Sequence, residues 1–310
     1  MVAPIDAPES EYAVIDYLIA FLPALFNGFM AIVLVAQGGD DRQKSLGLLG
    51  GAFLFSLLAT PFIEVHWTTK TLVISFISGL LLGFGQYLQI LSLKLLGVSR
   101  AMPMTTAGQI VFMSLGGIIL FGEMNQGLAL VCALSAITLL VIGVLFISKS
   151  EKTKEATEEH VDWKRGVPLV VISTAALVAF LLLVQGFGLD GRSVILPQAV
   201  GYLLVGLVGT IPALSPQLGK EDNRWSLLTL RQLIPGLMWG AAILLTQVSS
   251  SLLGVSVAFP LSQMGVIIQT FGGILILHET RTRREMRWTI IGVVIMVIGV
   301  IMVGVARSFS

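Results

Sequence analysis

Charge is what this sequence has least of. Only 12% of its 310 residues are Asp, Glu, Lys or Arg, against about 25% in a soluble domain. Such a chain cannot wet its whole surface, which excludes a soluble globular fold. Cysteine is nearly absent as well. The single Cys132 sits in an apolar run, so neither a disulfide framework nor a CxxC metal site is available. The three histidines, His66, His160 and His278, are scattered, and a multi-histidine metal centre is not expected. No basic patch is interleaved with aromatics, so nucleic acid is not an expected partner, and no cofactor is expected. Met1 to Glu11 lacks the basic start and small-residue cleavage site of a signal peptide. The first hydrophobic stretch is therefore expected to remain as a permanent span.

Apolar residues fill the space that charge leaves. They make up 55% of the chain, and the mean hydropathy is +0.91. Crossing roughly 30 Å of hydrocarbon takes about 20 apolar residues in a helix. Ten stretches qualify: 14–36, 45–63, 71–92, 99–121, 126–147, 166–188, 193–213, 231–252, 256–277 and 287–306. The expected fold class is an all-α integral membrane protein with ten transmembrane helices in a lipid bilayer. A charged connection, 148–165, divides them into two sets of five, 1–147 and 166–310. Lysine and arginine gather on the cytoplasmic side of membrane proteins. With the N-terminus outside, sixteen of the 19 fall inside, and only Lys70, Arg192 and Arg307 fall outside. Both termini are thus expected outside, with the linker in the cytoplasm. Five is odd, so the two halves are expected as inverted repeats.

One phrase occurs twice. Leu95-Leu96-Gly97-Val98-Ser99 is identical to Leu252-Leu253-Gly254-Val255-Ser256, and Ala101/Ala258, Pro103/Pro260 and Gly108/Gly265 keep the same spacing. The spacing slips by one before the pairs Gly116-Gly117/Gly272-Gly273 and Glu123/Glu279. Each copy is a Gly- and Pro-interrupted lead-in to an apolar helix. Interrupted helices at matching places of two halves point to a transporter's binding site. Gly79, Gly83 and Gly85 in the third span answer to Gly236, Gly240 and Ala242 in the eighth. Such spacing supports tight helix contact, though static bundles use it too.

Polar side chains at membrane depth need partners in other helices, water or substrate. The set is Asn27, Gln86, Gln89, Thr105, Thr106, Gln109, Gln185, Trp239, Gln247, Ser249, Ser262, Gln263 and Gln269. No acid or base lies near the centre of an expected span, which disfavours an ion or amino acid needing a countercharge. Amides with one indole suit a neutral polyol, a sugar-like ligand. The candidates for substrate contact are Asn27, Gln86, Gln89, Thr105, Gln109, Trp239, Gln247 and Gln263. Competing roles stand beside these. Gln86 and Gln89 could tie helices together, and Thr105, Thr106, Ser249 and Ser262 could bond their own backbone. Trp67, Trp163, Trp225 and Trp288 fall at span ends, where indoles anchor to the interface; Trp239 alone lies inside, where packing competes with sugar stacking. Pro103 and Pro260 each free a carbonyl near a helix start. Glu64, Glu123 and Glu279, at span ends, are candidates for proton coupling. A carboxylate at a helix C-terminus opposes the dipole, so Glu123 and Glu279 each require a partner or belong to the next helix, and structural roles compete.

Four phrases carry a resemblance: Leu22-Pro23-Ala24-Leu25-Phe26-Asn27-Gly28, Leu96 to Pro103, Phe121-Gly122-Glu123, and Ser262-Gln263-Met264-Gly265-Val266-Ile267-Ile268. Together they resemble the bacterial glucose/ribose porter family, sugar uptake proteins of the drug/metabolite transporter superfamily. The resemblance implies ten helices in two five-helix repeats in a bacterial cell membrane. It also implies uptake of a monosaccharide, glucose or ribose, by proton symport with alternating access. One position departs: the family phrase usually carries Trp where this chain has Asn27, so the resemblance supports sugar better than glucose. Gln109 and Gln263, in matching phrases, are pocket positions under it. An exporter of drugs or other metabolites from the same superfamily, or an uncoupled sugar facilitator, remains an alternative reading. A membrane-embedded enzyme would need a nucleophile with its base, paired aspartates or a metal set within the spans, and none is visible.

Overall fold

The computed structural model describes residues 9–96, 98–124, 127–147, 149, 162–215, 222–276 and 282–309. Every regular element among them is helical: α1 (Glu9–Ala36), α2 (Asp41–Ala59), α3 (Thr69–Leu96), α4 (Val98–Phe121), α5 (Gly127–Ile147), α6 (Trp163–Gly186), α7 (Ile195–Gly209), α8 (Leu227–Arg231), α9 (Leu233–Leu253), α10 (Val255–Ser262), α11 (Gly265–Leu275) and α12 (Arg283–Ser308). Nine described stretches are long and apolar enough to cross a membrane, and Leu227–Leu253 and Val255–Gly272 are each assembled from two helices. Each of the ten expected stretches coincides with one of these nine or with α7. The chain is an all-α integral membrane protein.

Local chemistry sets the helix ends. Asp40 opens α2 through a capping box: its carboxylate accepts from Gln43 N–H at 2.9 Å, and Gln43 Oε1 accepts from Asp40 N–H at 3.0 Å. Thr282 and Glu285 cap α12 in the same way. Asp162 accepts from Arg165 N–H at 3.1 Å, so α6 begins at Trp163, inside the connection expected to run to residue 165. Residues 148 and 150–161 of that connection lie outside the described residues. Helix α7 is shorter than its expected stretch, at 15 residues, or roughly 22 Å at 1.5 Å per residue. Thr210 ends it by folding its hydroxyl back onto Gly206 O at 2.6 Å, and Pro212 has no N–H with which to continue.

Packing divides most of the molecule into two three-helix units. Helix α9 lies along α1 and α2, and α3 lies along α6 and α7. The units meet where α2 crosses α7, while α5 and α12 pair with each other. Each unit thus combines helices from both halves of the chain. Outward-facing residues such as Ile119, Leu120, Val131, Leu275 and Ile301 are exposed, as a lipid-facing surface requires.

Glycine makes the closest of these contacts. A Cβ added to Gly79 of α3 would stand 2.0 Å from Gln198 O of α7, and one on Gly51 of α2 would stand 2.2 Å from Leu233 O of α9. Backbone touches backbone there, with no room for a side chain. Gly79→Ala and Gly51→Ala are each expected to lose about 1–3 kcal/mol through overpacking. Gly304→Ala, where the new Cβ meets nothing within 4 Å, should be neutral. Unfolding of the three variants in one detergent tests this, and equal stability would mean that the helices are not in backbone contact.

Candidate functional site

Helix α6 fixes the depth of two amide positions. Ser173 Oγ donates to Gly85 O at 2.8 Å, which sets the segment Gly85-Gln86 of α3 against α6. The next residue, Thr174, stands against Gly108 of α4, where an added Cβ would come within 2.9 Å of its Cγ2. Gln86 and Gln109 are therefore the chain neighbours of two glycines pinned to adjacent residues of one helix. On the other side of the molecule, Gly28 of α1 packs on Ile268 and Gly265, and Gln269 Nε2 donates to Asn27 O at 3.2 Å. This brings Asn27 beside the turn between α10 and α11, where Gln263 N–H bonds Phe259 O and Pro260 O. Helix α4 touches both α6 and α10, so it connects the two groups.

Asn27, Gln86, Gln89, Gln109 and Gln263 are all half-buried. Their side-chain amides make no hydrogen bond among the described residues. Gln247 differs. It is fully buried, and its Nε2 donates to Gln198 Oε1 at 2.9 Å. Gln198 Nε2 donates in turn to Ser78 Oγ at 2.7 Å, and Ser78 Oγ to Phe180 O at 2.8 Å. The chain ties α9, α7, α3 and α6 and engages both ends of the Gln198 amide, while Gln247 Oε1 is buried with no partner among the described residues. Thr105 is buried and bonds its own helix at Ala101 O, 2.9 Å away. Trp239 is buried with its ring tilted at 58° against Tyr202, centroids 5.8 Å apart. Its apolar cluster includes Leu82, Met113, Leu177 and Phe259, which come from the same helices that carry the amides.

The three candidate acids part company. Glu64 is exposed in the connection between α2 and α3. Glu279 lies outside the described residues. Glu123, just past the end of α4, accepts from Val255 N–H at 2.9 Å, from Ser256 N–H at 2.8 Å and from the Ser256 hydroxyl. Its carboxylate therefore meets the electropositive N-terminus of α10 at the corner made by Gly254, whose φ of 84° suits glycine. This is the partner that the repeat position required. Among the described residues, no group of three or more His, Cys, Asp or Glu comes together to hold a metal.

Several features escaped sequence reasoning. Gln198 is one, and the Ser56 and Tyr202 hydroxyls, 3.0 Å apart in the α2–α7 contact, are another. Thr174 Oγ1 is buried with no partner among the described residues. Two further duplications in the chain also went unread. Asp40, Arg42, Gly51 and Thr60 recur 150 residues later as Asp190, Arg192, Gly201 and Thr210. Trp67, Thr68 and Thr71 recur as Trp225, Ser226 and Thr229, at a spacing of 158. The second pair forms the same N-cap twice: Thr71 N–H donates to Thr68 Oγ1 at 3.1 Å, and Thr229 N–H to Ser226 Oγ at 3.3 Å. A search for short matches at several spacings, rather than one, would have found both.

Comparison with known proteins gives a consistent result. The profile of the family described as sugar transport protein matches residues 18–306. A Listeria innocua protein named for sugar uptake, lin0215, is 38% identical over 293 residues, covering 94% of this chain and 99% of its own. The glucose uptake protein GlcU of Bacillus subtilis is 32% identical over 295 residues, covering 95% of this chain and all of its own. A solved crystal structure, 15% identical, superposes with a TM-score of 0.63 over 94% of this chain and 98% of that one. That last likeness concerns the fold.

The corner at Gly254 yields a direct test. Glu123→Ala removes the acceptor of three hydrogen bonds, and a loss of about 1–2 kcal/mol is expected, as for other helix caps. Ser256→Ala removes one donor of the three and should cost less. Thermal unfolding of both variants reads the order; a Glu123→Ala protein as stable as its parent would show that the carboxylate does not hold the corner.

Proposed function

This chain belongs to the sugar transport protein family, and from that premise we propose that it imports a monosaccharide, glucose or ribose. It is a multi-pass membrane transporter rather than an enzyme. The observation that carries the sugar reading is the set of five half-buried amides, Asn27, Gln86, Gln89, Gln109 and Gln263, none of which makes a side-chain hydrogen bond among the described residues. Amides both donate and accept, as the hydroxyls of a neutral polyol do. The full-length likeness to a glucose uptake protein supports the same substrate class. The unpartnered Thr174 hydroxyl, set against Gly108 beside Gln109, adds a sixth polar group. Thr105 joins the pocket only by exchanging its present bond for substrate, and Gln247 either does the same at Nε2 or accepts through Oε1, which has no partner among the described residues. Trp239 takes part by presenting an edge or face of its ring once Tyr202 shifts.

Transport proceeds in this reading by alternating access between two inverted five-helix repeats, 1–147 and 166–310, with both termini outside. The partner exchange between α3 with α6 and α7 and α9 with α1 and α2 supports it, as do the three duplicated phrases. A proton gradient drives uptake. Glu123 is a coupling group only if its three bonds to α10 break during the cycle.

Counterflow in proteoliposomes tests substrate class without any ion gradient. Labelled glucose is expected to accumulate against internal glucose or ribose. Gln263→Ala and Trp239→Ala should lower exchange about tenfold or more if either side chain binds the transition between states; unchanged kinetics would remove that residue from the pocket. Asn27→Trp, which installs the residue of the family phrase, should shift preference among sugars. Absence of counterflow with every monosaccharide, in folded protein, would overturn the sugar reading.

A further inference from the structure

We propose that Arg42 and Arg192 are alternating clasps at opposite ends of the seam between α2 and α7. Arg42 holds one end shut in the state seen here, and Arg192 takes hold of the Thr60 carbonyl when that end opens.

Arg42 stands in the first turn of α2 and is fully buried. Its guanidinium crosses the seam: Nη1 donates to Thr210 O and Nη2 to Ser215 O, the latter at 3.4 Å. Thr210 is the C-cap of α7, where unpaired carbonyls carry the negative end of the helix dipole. A planar fork of donors is suited to hold two such oxygens at once. The bond therefore joins the α1–α2–α9 unit to the α3–α6–α7 unit.

The other end of the seam is built from the same parts. Arg192 repeats Arg42 at a spacing of 150, and Thr60 repeats Thr210. Thr60 is the C-cap of α2, and its hydroxyl bonds Ser56 O at 2.6 Å, as the Thr210 hydroxyl bonds Gly206 O at 2.6 Å. Asp190 accepts from Ser193 N–H at 3.1 Å, the counterpart of Asp40 and Gln43. Ser193 is itself engaged, accepting from His66 N–H and the Trp67 indole at 2.9 and 3.0 Å. The arginine and its setting differ: Arg42 lies in the first turn of α2, whereas Arg192 lies in the turn before α7, and Thr60 O accepts from Ile63 N–H at 3.4 Å. Arg192 is exposed and makes no hydrogen bond or ion pair among the described residues.

The asymmetry has a physical use. A clasp engaged at both ends would staple the seam and stop it rocking. One engaged at a single end favours one state by the full worth of a charge-assisted bond. A matching clasp at the other end offsets that preference in the opposite state and keeps the two close in free energy, as a cycle requires. The inference rests on the inverted-repeat reading above, and it assigns Arg42 to the end expected to face the cytoplasm.

Distances between paired spin labels on the full chain in nanodiscs, in a Cys132→Ala background, test it. One pair, Lys44→Cys with Ala213→Cys, reports the Arg42 end; another, Phe62→Cys with Leu196→Cys, reports the Arg192 end. Arg42→Ala is expected to shift the population about tenfold toward a longer first distance and a shorter second one, the scale of one lost hydrogen bond to a charged group. Arg42→Lys keeps the charge but reaches one carbonyl, and an intermediate shift is expected; it decides the matter if Arg42→Ala does not fold. Arg192→Ala should leave the present state dominant and deplete the opposite one. Unchanged distances in folded Arg42 variants overturn the clasp. The distances need no substrate, so a shift without counterflow of any sugar would overturn the sugar reading and leave the clasp standing.

Discussion

Where α2 meets α9 and where α3 meets α7, one backbone rests directly on another. Gly51 and Gly236 approach so closely that a Cβ on either would fall within 3 Å of the facing main chain, and Gly79 and Gly201 do the same in the other unit. In hydrocarbon there is no hydrophobic drive to bring helices together, because lipid tails are as apolar as leucine. Association must come from dispersion and from bonds between polar groups, and both fall off steeply with distance. The glycine contacts supply the approach on which everything else is built. They bring the α9 and α7 amides within reach of one another, and they set the crossing at which the α2 and α7 hydroxyls meet.

Given that approach, polar groups take one of two fates. Some are spent inside the protein: Gln198 between Gln247 and Ser78, Ser78 on Phe180, Thr105 on its own helix, Glu123 on the start of α10. Others stay half-buried with their amides unengaged among the described residues, as Asn27, Gln86, Gln89, Gln109 and Gln263 do. Leaving an amide unpaired in a membrane is costly, and a purely structural bundle would gain by replacing these residues with leucine. A ligand that comes and goes gives such residues a reason to exist. The engaged group serves the opposite end, since a bond chain that crosses four helices fixes their register.

Much of this was legible in the chain. Hydropathy alone located all ten stretches because each of the nine candidate spans and the shorter α7 is one apolar run, and the glycine rows marked the third and eighth stretches because tight contact needs small residues at helical spacing. The ends were harder. Helix α7 stops early through a threonine that bonds its own backbone and a proline two residues on, a local device that a hydropathy window averages away. The ninth span was read as one helix but is two, α10 and α11, separated at Gln263-Met264. Its repeat partner α4 runs unbroken through the matching positions, so the same phrase does not dictate the same break. Partners could not be read at all. Nothing in the string Phe121-Gly122-Glu123 says that the carboxylate will reach Val255 and Ser256, and Arg42 reads as one more cytoplasmic cation until the end of α7 is placed over it.

The two kinds of contact differ in what happens when they break. A glycine contact has no substitute: separating α3 from α7 at Gly79 leaves backbone surface that only lipid could cover, and lipid does not pack to backbone. An amide or guanidinium bond can be exchanged for an equivalent one, provided that an acceptor of the same kind lies nearby. The seam between α2 and α7 carries bonds of the second kind, at Arg42 and between Ser56 and Tyr202, whereas the closest glycine contacts lie within each unit. Low-cost exchange of bonds therefore belongs to the seam, and the tightest packing to the two three-helix units.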